Sequence, residues 1–302
     1  MKQSYKDFEI IMVDNGSQDN SVNLALSHPL KPIVLRLEKN YGFARAVNLG
    51  IEKASSPLIA LLNNDAFPDR NWLKNLLRSA QTYPEMDFFA SLVLRAEERE
   101  KIESAGVSWN LQARAEPLFE NQVLSPFLKN YEVFLASGTA VLFRRALWEE
   151  LGGFDEDYFA YLEDVGFFLK ARIAGKRGML VKEAVVYHFG ARTELEDRRG
   201  KKPIESSQRV YLIARNRWWL VWEHLPLSII FLLFPLIIWG WLRGLGYHLL
   251  ISRQIVPFLR GSWAGFFSFP RRQKTRKKVF SLWKIKKTRL IKFMKKGFWE
   301  LE

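Results

Sequence analysis

Across its first 190 residues the chain alternates short, apolar, β-rich runs with stretches of helical period, and few folds accommodate that alternation. Residues 8–13 (FEIIMV) form a continuous apolar run closed by the turn residues Asp14-Asn15-Gly16-Ser17. Residues 33–37 are a second strand and residues 58–62 (LIALL) a third. Between them, apolar or small side chains at 43, 46, 47, 50, 51 and 54 predict a helix over 43–54, and another is predicted over 71–81. Strands joined through helices need crossover connections, so the expected architecture is α/β, a mostly parallel sheet flanked by helices on both faces. Farther on, 133–143 and 181–187 have strand character, 145–151 and 163–174 helical character, and 95–132 is charged and irregular. Sheets of this class carry ligands in loops at the carboxyl ends of their strands. The polar clusters 14–19 and 63–69 fall there.

Composition removes several function classes. The chain has no cysteine, which excludes a disulfide scaffold, cysteine-ligated zinc, iron–sulfur clusters and a thiol nucleophile. Its net charge of +14 is confined to one end: from Arg243 onward 16 Lys and Arg stand against Glu300 and Glu302, while residues 1–242 balance to zero. A neutral body argues against nucleic acid as a partner. Ahead of the basic end, residues 225–242 (LPLSIIFLLFPLIIWGWL) carry no charge, and tryptophans stand at 218, 219, 222, 239 and 241. Eighteen helical residues reach about 27 Å, the lower limit for crossing a bilayer.

Four segments carry residue types suited to chemistry. Asp14 at a strand end can accept the imide N–H of a pyrimidine base, with Gly16 allowing close backbone approach; the same residues also suit an Asx turn. Asp65, in Asn63-Asn64-Asp65, can hold a hard divalent cation against a diphosphate, or simply close a turn. Residues 154–164 (FDEDYFAYLED) pack five carboxylates and four aromatics ahead of a helix. Aromatic faces suit a sugar ring and a carboxylate there suits a general base, although Glu163 and Asp164 also favour a helix N-terminus electrostatically. His188, ending the last strand, is a structural histidine or a metal ligand beside Asp65.

Taken in order, FEIIMVDNGSQDNS, NYGFARAVNLGI, ALLNNDAFP, SGTAVLFRRALWEELGGFDEDYFAYLEDVGFFLKAR and VVYHFGART resemble the inverting family 2 glycosyltransferases of GT-A fold, and most nearly the bacterial rhamnosyltransferase-like branch. The resemblance covers roughly residues 1–215. It implies a nucleotide-sugar donor, possibly dTDP-rhamnose, and a glycan or lipid-linked acceptor of surface-polysaccharide synthesis. It implies donor contacts from Asp14, Asn15, Gly16, Ser17, Asn40, Gly42, Phe43, Asn48, Asn63 and Asn64. By the same resemblance Asp65 and His188 would hold Mg²⁺ or Mn²⁺, Asp164 with Glu163 would supply the catalytic base, and Asp155, Tyr158 and Tyr161 would meet the acceptor. Two departures stand out. The family opens with one more strand and helix ahead of the segment that starts here at Lys2, so a nucleotide-sugar-binding scaffold without transfer activity is the alternative. Gly166 stands where many relatives carry a second acid.

The expected organisation is a GT-A domain over 1–215, membrane-associating helices over 216–270, and a basic tail over 271–302. A single span would carry the tail outside, against the positive-inside tendency. The expectation is therefore an in-plane or re-entrant segment at the cytoplasmic face of a bacterial inner membrane, its tail on anionic lipid. The alternative is a buried core helix followed by a solvated tail.

Overall fold

The computed structural model describes residues 3–189 and 206–301. The first half runs β1 (Ile11–Asp14), α1 (Ser21–Leu26), β2 (Ile33–Arg36), α2 (Phe43–Lys53), β3 (Leu58–Leu62), β4 (Ala66–Pro68), α3 (Trp72–Thr82) and β5 (Phe88–Arg95). Short strands follow, β6 (Ile102–Ser104), β7 (Val107–Trp109), β8 (Ala115–Pro117) and β9 (Tyr131–Val133). Then come β10 (Ala140–Arg144), α4 (Arg145–Leu151), a 3-10 turn (Glu156–Tyr158), α5 (Glu163–Ile173) and β11 (Gly178–His188). The C-terminal part comprises α6 (Ser207–His224), α7 (Leu227–Leu250), α8 (Ile255–Phe266), α9 (Phe269–Ser281), α10 (Lys287–Lys296) and β12 (Phe298–Glu300).

The main sheet has the order β12-β9-β11-β5-β10-β3 and is mixed, which corrects the mostly parallel expectation. Among the described residues only β5–β11 and the separate pair β1–β2 run parallel; β10 lies antiparallel between β3 and β5. The chain returns from its excursion through 102–133 at the end where β3 finishes, so β10 can only enter the sheet running the other way. Residues 133–143 are accordingly two strands, not one. The strand that organises the sheet is β5, for which the sequence pattern had supplied no assignment: seven of its eight residues are buried. Apolar clusters cover both faces, with Phe143, Phe154, Phe167 and Phe168 on one and Trp72, Leu76, Phe89 and Val186 on the other.

The pair β1–β2 stands apart from the main sheet. Among the described residues the second edge of β1 and the outer edge of β3 are both unpaired, and both strands line one cavity. The run Ile10 to Val13 is therefore only half-buried, where a continuous apolar run predicts a strand covered on both sides.

The C-terminal segment is not a tail. Helix α8 sits directly on α6 because Gly261 and Gly265, four apart, bring the backbones together; a Cβ at either would lie 2.2 Å from Tyr211 O or 2.4 Å from Arg215 O. Strand β12 pairs antiparallel with β9 and ends the main sheet. Leu290, Phe293 and Met294 of α10 are buried against the body, while Lys287, Lys292, Lys295 and Lys296 face out. Phe293 stacks on Phe134 (5.1 Å between centroids) and lies edge-on to Trp299 (4.4 Å). Phe293→Ala should therefore lower unfolding stability by about 3–5 kcal/mol in a urea titration. A solvated tail would lose less than about 0.5 kcal/mol.

Candidate functional site

The turn after β1 is closed by Asp14, which is buried and accepts from Ser17 N (3.1 Å). Gly16 has φ +84° and no room for a side chain, since a Cβ would lie 2.7 Å from Lys39 C. That contact seats the turn against residues 39–42. Asn15 Nδ2 donates to Asn40 Oδ1 (3.0 Å) and Gly42 O (3.0 Å), and Tyr41 N donates to Asn15 Oδ1 (2.9 Å). Gly42, at φ +91°, touches the aromatic loop: a Cβ there would lie 2.3 Å from Phe159 O. The two segments expected to bind donor thus form one wall. Asn48 does not belong to it. It is buried, accepts from Phe154 N and Trp148 Nε1 (both 3.0 Å) and donates to Phe154 O (2.9 Å), so it ties α2 to the 153–156 loop instead of meeting donor.

Opposite, β4 pairs with β11 so that Ala66 faces His188, which puts Asp65 beside the imidazole. His188 Nε2 lies 3.1 Å from Asp65 Oδ1, and Nδ1 lies 2.6 Å from Glu103 Oε1. Glu103 carried no sequence signal; it arrives because β6 pairs with β5, the neighbour of β11. Burial works to lower the His188 pKa, but the hydrogen bond and charge of Glu103 and the charge of Asp65 outweigh it and raise it. A carboxylate behind the imidazole, with the other nitrogen aimed at a cleft-lining carboxylate, is the arrangement that orients a metal-binding histidine. The pair fits a hard cation that takes its remaining ligands from substrate phosphates and water. Among the described residues no group of three or more His, Asp or Glu is arranged to hold a metal alone.

Asp164, in the first turn of α5, accepts from Gly138 N (2.8 Å, at Oδ2) and from Val165 N (2.7 Å, at Oδ1). Burial raises its pKa above the ordinary aspartate value, and these N–H groups offset only part of the rise. The neighbouring residue reaches the turn that carries Asp65, for Asn63 N donates to Thr139 O (2.9 Å). Gly138 and Thr139 therefore join the two acidic turns. Asp14, Asn15, Ser17, Asn40, Gly42, Phe43, Asn63, Asn64, Asp65, Tyr161, Glu163, Asp164 and His188 all line a single cavity of about 2450 Å³, with Arg209 and Ile213 contributed by α6.

Two acceptor expectations are corrected. Tyr158 is buried and donates to Glu223 Oε2 (2.9 Å); Asp155 pairs with Arg272 of α9. Neither lines the cleft, because the C-terminal helices claim both. Tyr161 does line it, 37% exposed, with the Arg209 guanidinium 5.4 Å from its ring centroid. Glu163 is only 7% exposed, and its Oε2 has no hydrogen-bond partner among the described residues. Burial, helped by the charge of Asp164, pushes its pKa well above the usual range.

The Glu163 shift has a definite sign. A carboxyl whose folded pKa lies above its unfolded value of about 4.3 is tolerated at low pH and costs stability as pH rises. Glu163→Gln should therefore raise Tm, by an amount that grows from acidic to neutral pH. A Tm difference that shrinks as pH rises would contradict the placement.

A profile of Glycosyl transferase family 2 matches residues 1–152, half of the chain. An N-acetylglucosaminyl-diphospho-decaprenol L-rhamnosyltransferase of Mycobacterium tuberculosis is 26% identical over 238 residues, covering 70% of this chain and 76% of that protein. The uncharacterized glycosyltransferase YwdF of Bacillus subtilis is 26% identical over 189 residues, covering 62% and 66%. The O-antigen biosynthesis protein RfbC of Myxococcus xanthus is 26% identical over 205 residues, covering 64% of this chain but 16% of its own length. The chain thus spans less than two thirds of the last two. Among solved structures, S. aureus TarS 1–349 superposes with TM-score 0.56 at 15% identity, over 93% of this chain and 83% of that one. GalNAc-T7 with UDP, GalNAc and Mn²⁺ superposes with TM-score 0.52 at 16% identity, over 80% and 51%. Both share the fold. With half its length matched by the family profile, the chain belongs to Glycosyl transferase family 2.

Proposed function

We propose that the protein transfers a sugar from a nucleotide-sugar donor to a hydroxyl of a surface-glycan or lipid-linked acceptor, with inversion. One observation carries this: the Asp14–Asn40 wall, the Asp65–His188 pair and the Asp164 carboxylate open onto the same cleft. The base of the nucleotide would lie against Asp14 and Asn40, and its ribose near Asn63. Asp65 and His188 Nε2 would hold Mg²⁺ or Mn²⁺, which supplies positive charge against the departing diphosphate. Asp164 takes the proton of the acceptor hydroxyl as its oxygen bonds to the anomeric carbon, while the bond from that carbon to the diphosphate oxygen breaks. One displacement with one base inverts the anomeric centre. Burial raises the Asp164 pKa and makes it a stronger base than an exposed aspartate, while the N–H groups of Gly138 and Val165 favour its ionised form. The name of the mycobacterial relative, an L-rhamnosyltransferase, makes a nucleotide-activated rhamnose the first donor to try, with dTDP-rhamnose the form that the sequence resemblance implies.

The scaffold alternative draws on the unpaired edges of β1 and β3, which leave the cavity wall beneath the nucleotide side incomplete among the described residues. The decisive assay is release of nucleoside diphosphate from a panel of nucleotide sugars with Mn²⁺. Asp164→Asn should lower turnover by about 10²–10⁴-fold with nucleotide binding retained. Asp65→Ala should weaken Mn²⁺-dependent nucleotide binding by about 10–100-fold. The wild-type rate should fall toward acid pH on a limb lying above the ordinary aspartate pKa. Full turnover by Asp164→Asn would remove it as the base, and nucleotide binding without turnover of any sugar would favour the scaffold.

The same reading puts the enzyme on the cytoplasmic face of the inner membrane, lying in the bilayer plane. Leu227–Leu250 is long and apolar enough to cross a membrane by length and composition. Yet Ile229, Ile230, Leu233 and Ile237 are buried against the body, and Arg217 bonds both Gly240 O (3.3 Å) and, in the body, Gln112 O (2.7 Å). A helix of about 36 Å pinned at its middle to a polar domain has no length left to span about 30 Å of hydrocarbon. Its outer side, with that of α8, exposes Phe231, Leu232, Trp239, Leu250, Val256 and Trp263, and no acid occurs from 224 to 299. The protein should float with phosphatidylglycerol vesicles and less with phosphatidylcholine alone. Leu232→Glu with Trp263→Glu should leave it in solution, and flotation unaffected by that pair would overturn the in-plane reading.

A further inference from the structure

The backbone leading into Asp164 is strained. Phe159, Tyr161 and Leu162 hold φ of 65°, 67° and 69°. Side chains with a Cβ rarely adopt that region, and it persists only where the surroundings over-determine it. The support comes from α6. Asn216 is fully buried, and the two hydrogens of its Nδ2 are shared among three carbonyls of the loop: Tyr158 O (3.1 Å), Ala160 O (3.0 Å) and Tyr161 O (2.7 Å). Its Oδ1 accepts from Arg215 Nε (2.9 Å), so the amide has one orientation; reversed, its oxygen would face three carbonyls and its N–H₂ a guanidinium. Arg215 adds a bond from Nη2 to Tyr158 O (2.9 Å). On the opposite side the loop bears on Gly42 of the nucleotide wall, so it is gripped between that wall and α6.

We propose that Asn216 is a positioning residue: by holding the carbonyls of 158, 160 and 161 it fixes the strained loop that presents Asp164 to the acceptor side of the cleft. The proposal rests on the reading of Asp164 as base. Packing alone does not call for this arrangement. A relaxed loop would need no buried amide, and a buried amide with no role in the loop would be costly to keep satisfied. Strain held in place by dedicated hydrogen bonds beside a carboxylate of the cleft is strain retained for geometry. Asn216 also lies outside the residues that the family profile matches, 1–152, so this support belongs to the helical extension.

Asn216→Asp tests it, since it keeps the volume and the acceptor facing Arg215 but turns an oxygen toward the three carbonyls. Hydrogen exchange over 158–166 should quicken while the rest of α6 keeps its protection. Binding of dTDP or UDP with Mn²⁺ should be unchanged, and kcat should fall on the order of 10²-fold with KM for donor little altered. Asn216→Ala, which removes the donors without adding repulsion, should move all three readouts the same way and serves if Asn216→Asp does not fold. Unchanged exchange and kcat would overturn the proposal. So would a loss of rate matched by an equal loss of nucleotide-binding sites, the mark of a purely structural role. A wild type that turns over no nucleotide sugar would overturn the base reading, while the exchange data would still decide whether Asn216 holds the loop.

Discussion

Two adjacent residues hold the site together. Gly138 N–H binds the Asp164 carboxylate, and Thr139 C=O receives Asn63 N–H from the turn that carries Asp65. Acidic turns 99 positions apart in the chain thereby become opposite walls of one cleft. The contact exists because β10 enters the sheet antiparallel between β3 and β5, starting beside the end of β3. A parallel strand there would put its first residues at the far end of the sheet. The reversed strand that breaks the expected sheet pattern is thus the one that assembles the site.

A second constraint comes from the C-terminal helices, which grip the catalytic body at several points. Arg272 takes up Asp155, Asp157 and Glu223; Asn216 holds the loop after Tyr158; Arg217 ties α7 to residues 112 and 113. An unpaired buried charge costs far more than a paired one, so these acids and bases hold the extension to the domain. The aromatic-acidic segment 154–164 consequently serves two masters. Its first half is locked to the helical extension, and its second half, residues 159–164, lines the cleft.

Much of this was legible in the sequence because it is local. The run at 58–62 became β3 and the helix at 145–151 became α4 with the expected bounds, since apolar period and flanking turn residues specify both. The turn at Asp14 and the placement of Asp65 at a strand end followed from the same signals. Nonlocal pairing was not legible. Asp155 and Tyr158 look alike whether their partner is a sugar or, as here, an arginine 117 positions on for Asp155 and a glutamate 65 positions on for Tyr158. Asn48 sits in the family-like segment 40–51, yet its partners lie 100, 106 and 108 positions away. The spacing of Leu290, Phe293 and Met294 suits a lipid surface as well as a protein core, and only the pairing of β12 with β9 decides between them.

The account turns on one cleft serving both acidic turns, and a crystal structure with dTDP or UDP and Mn²⁺ tests it most directly. The account predicts anomalous density for Mn²⁺ between Asp65 and His188, the base against Asp14, and the β-phosphate directed toward the space that Asp164 faces. Mn²⁺ elsewhere, or a diphosphate directed away from Asp164, would contradict it.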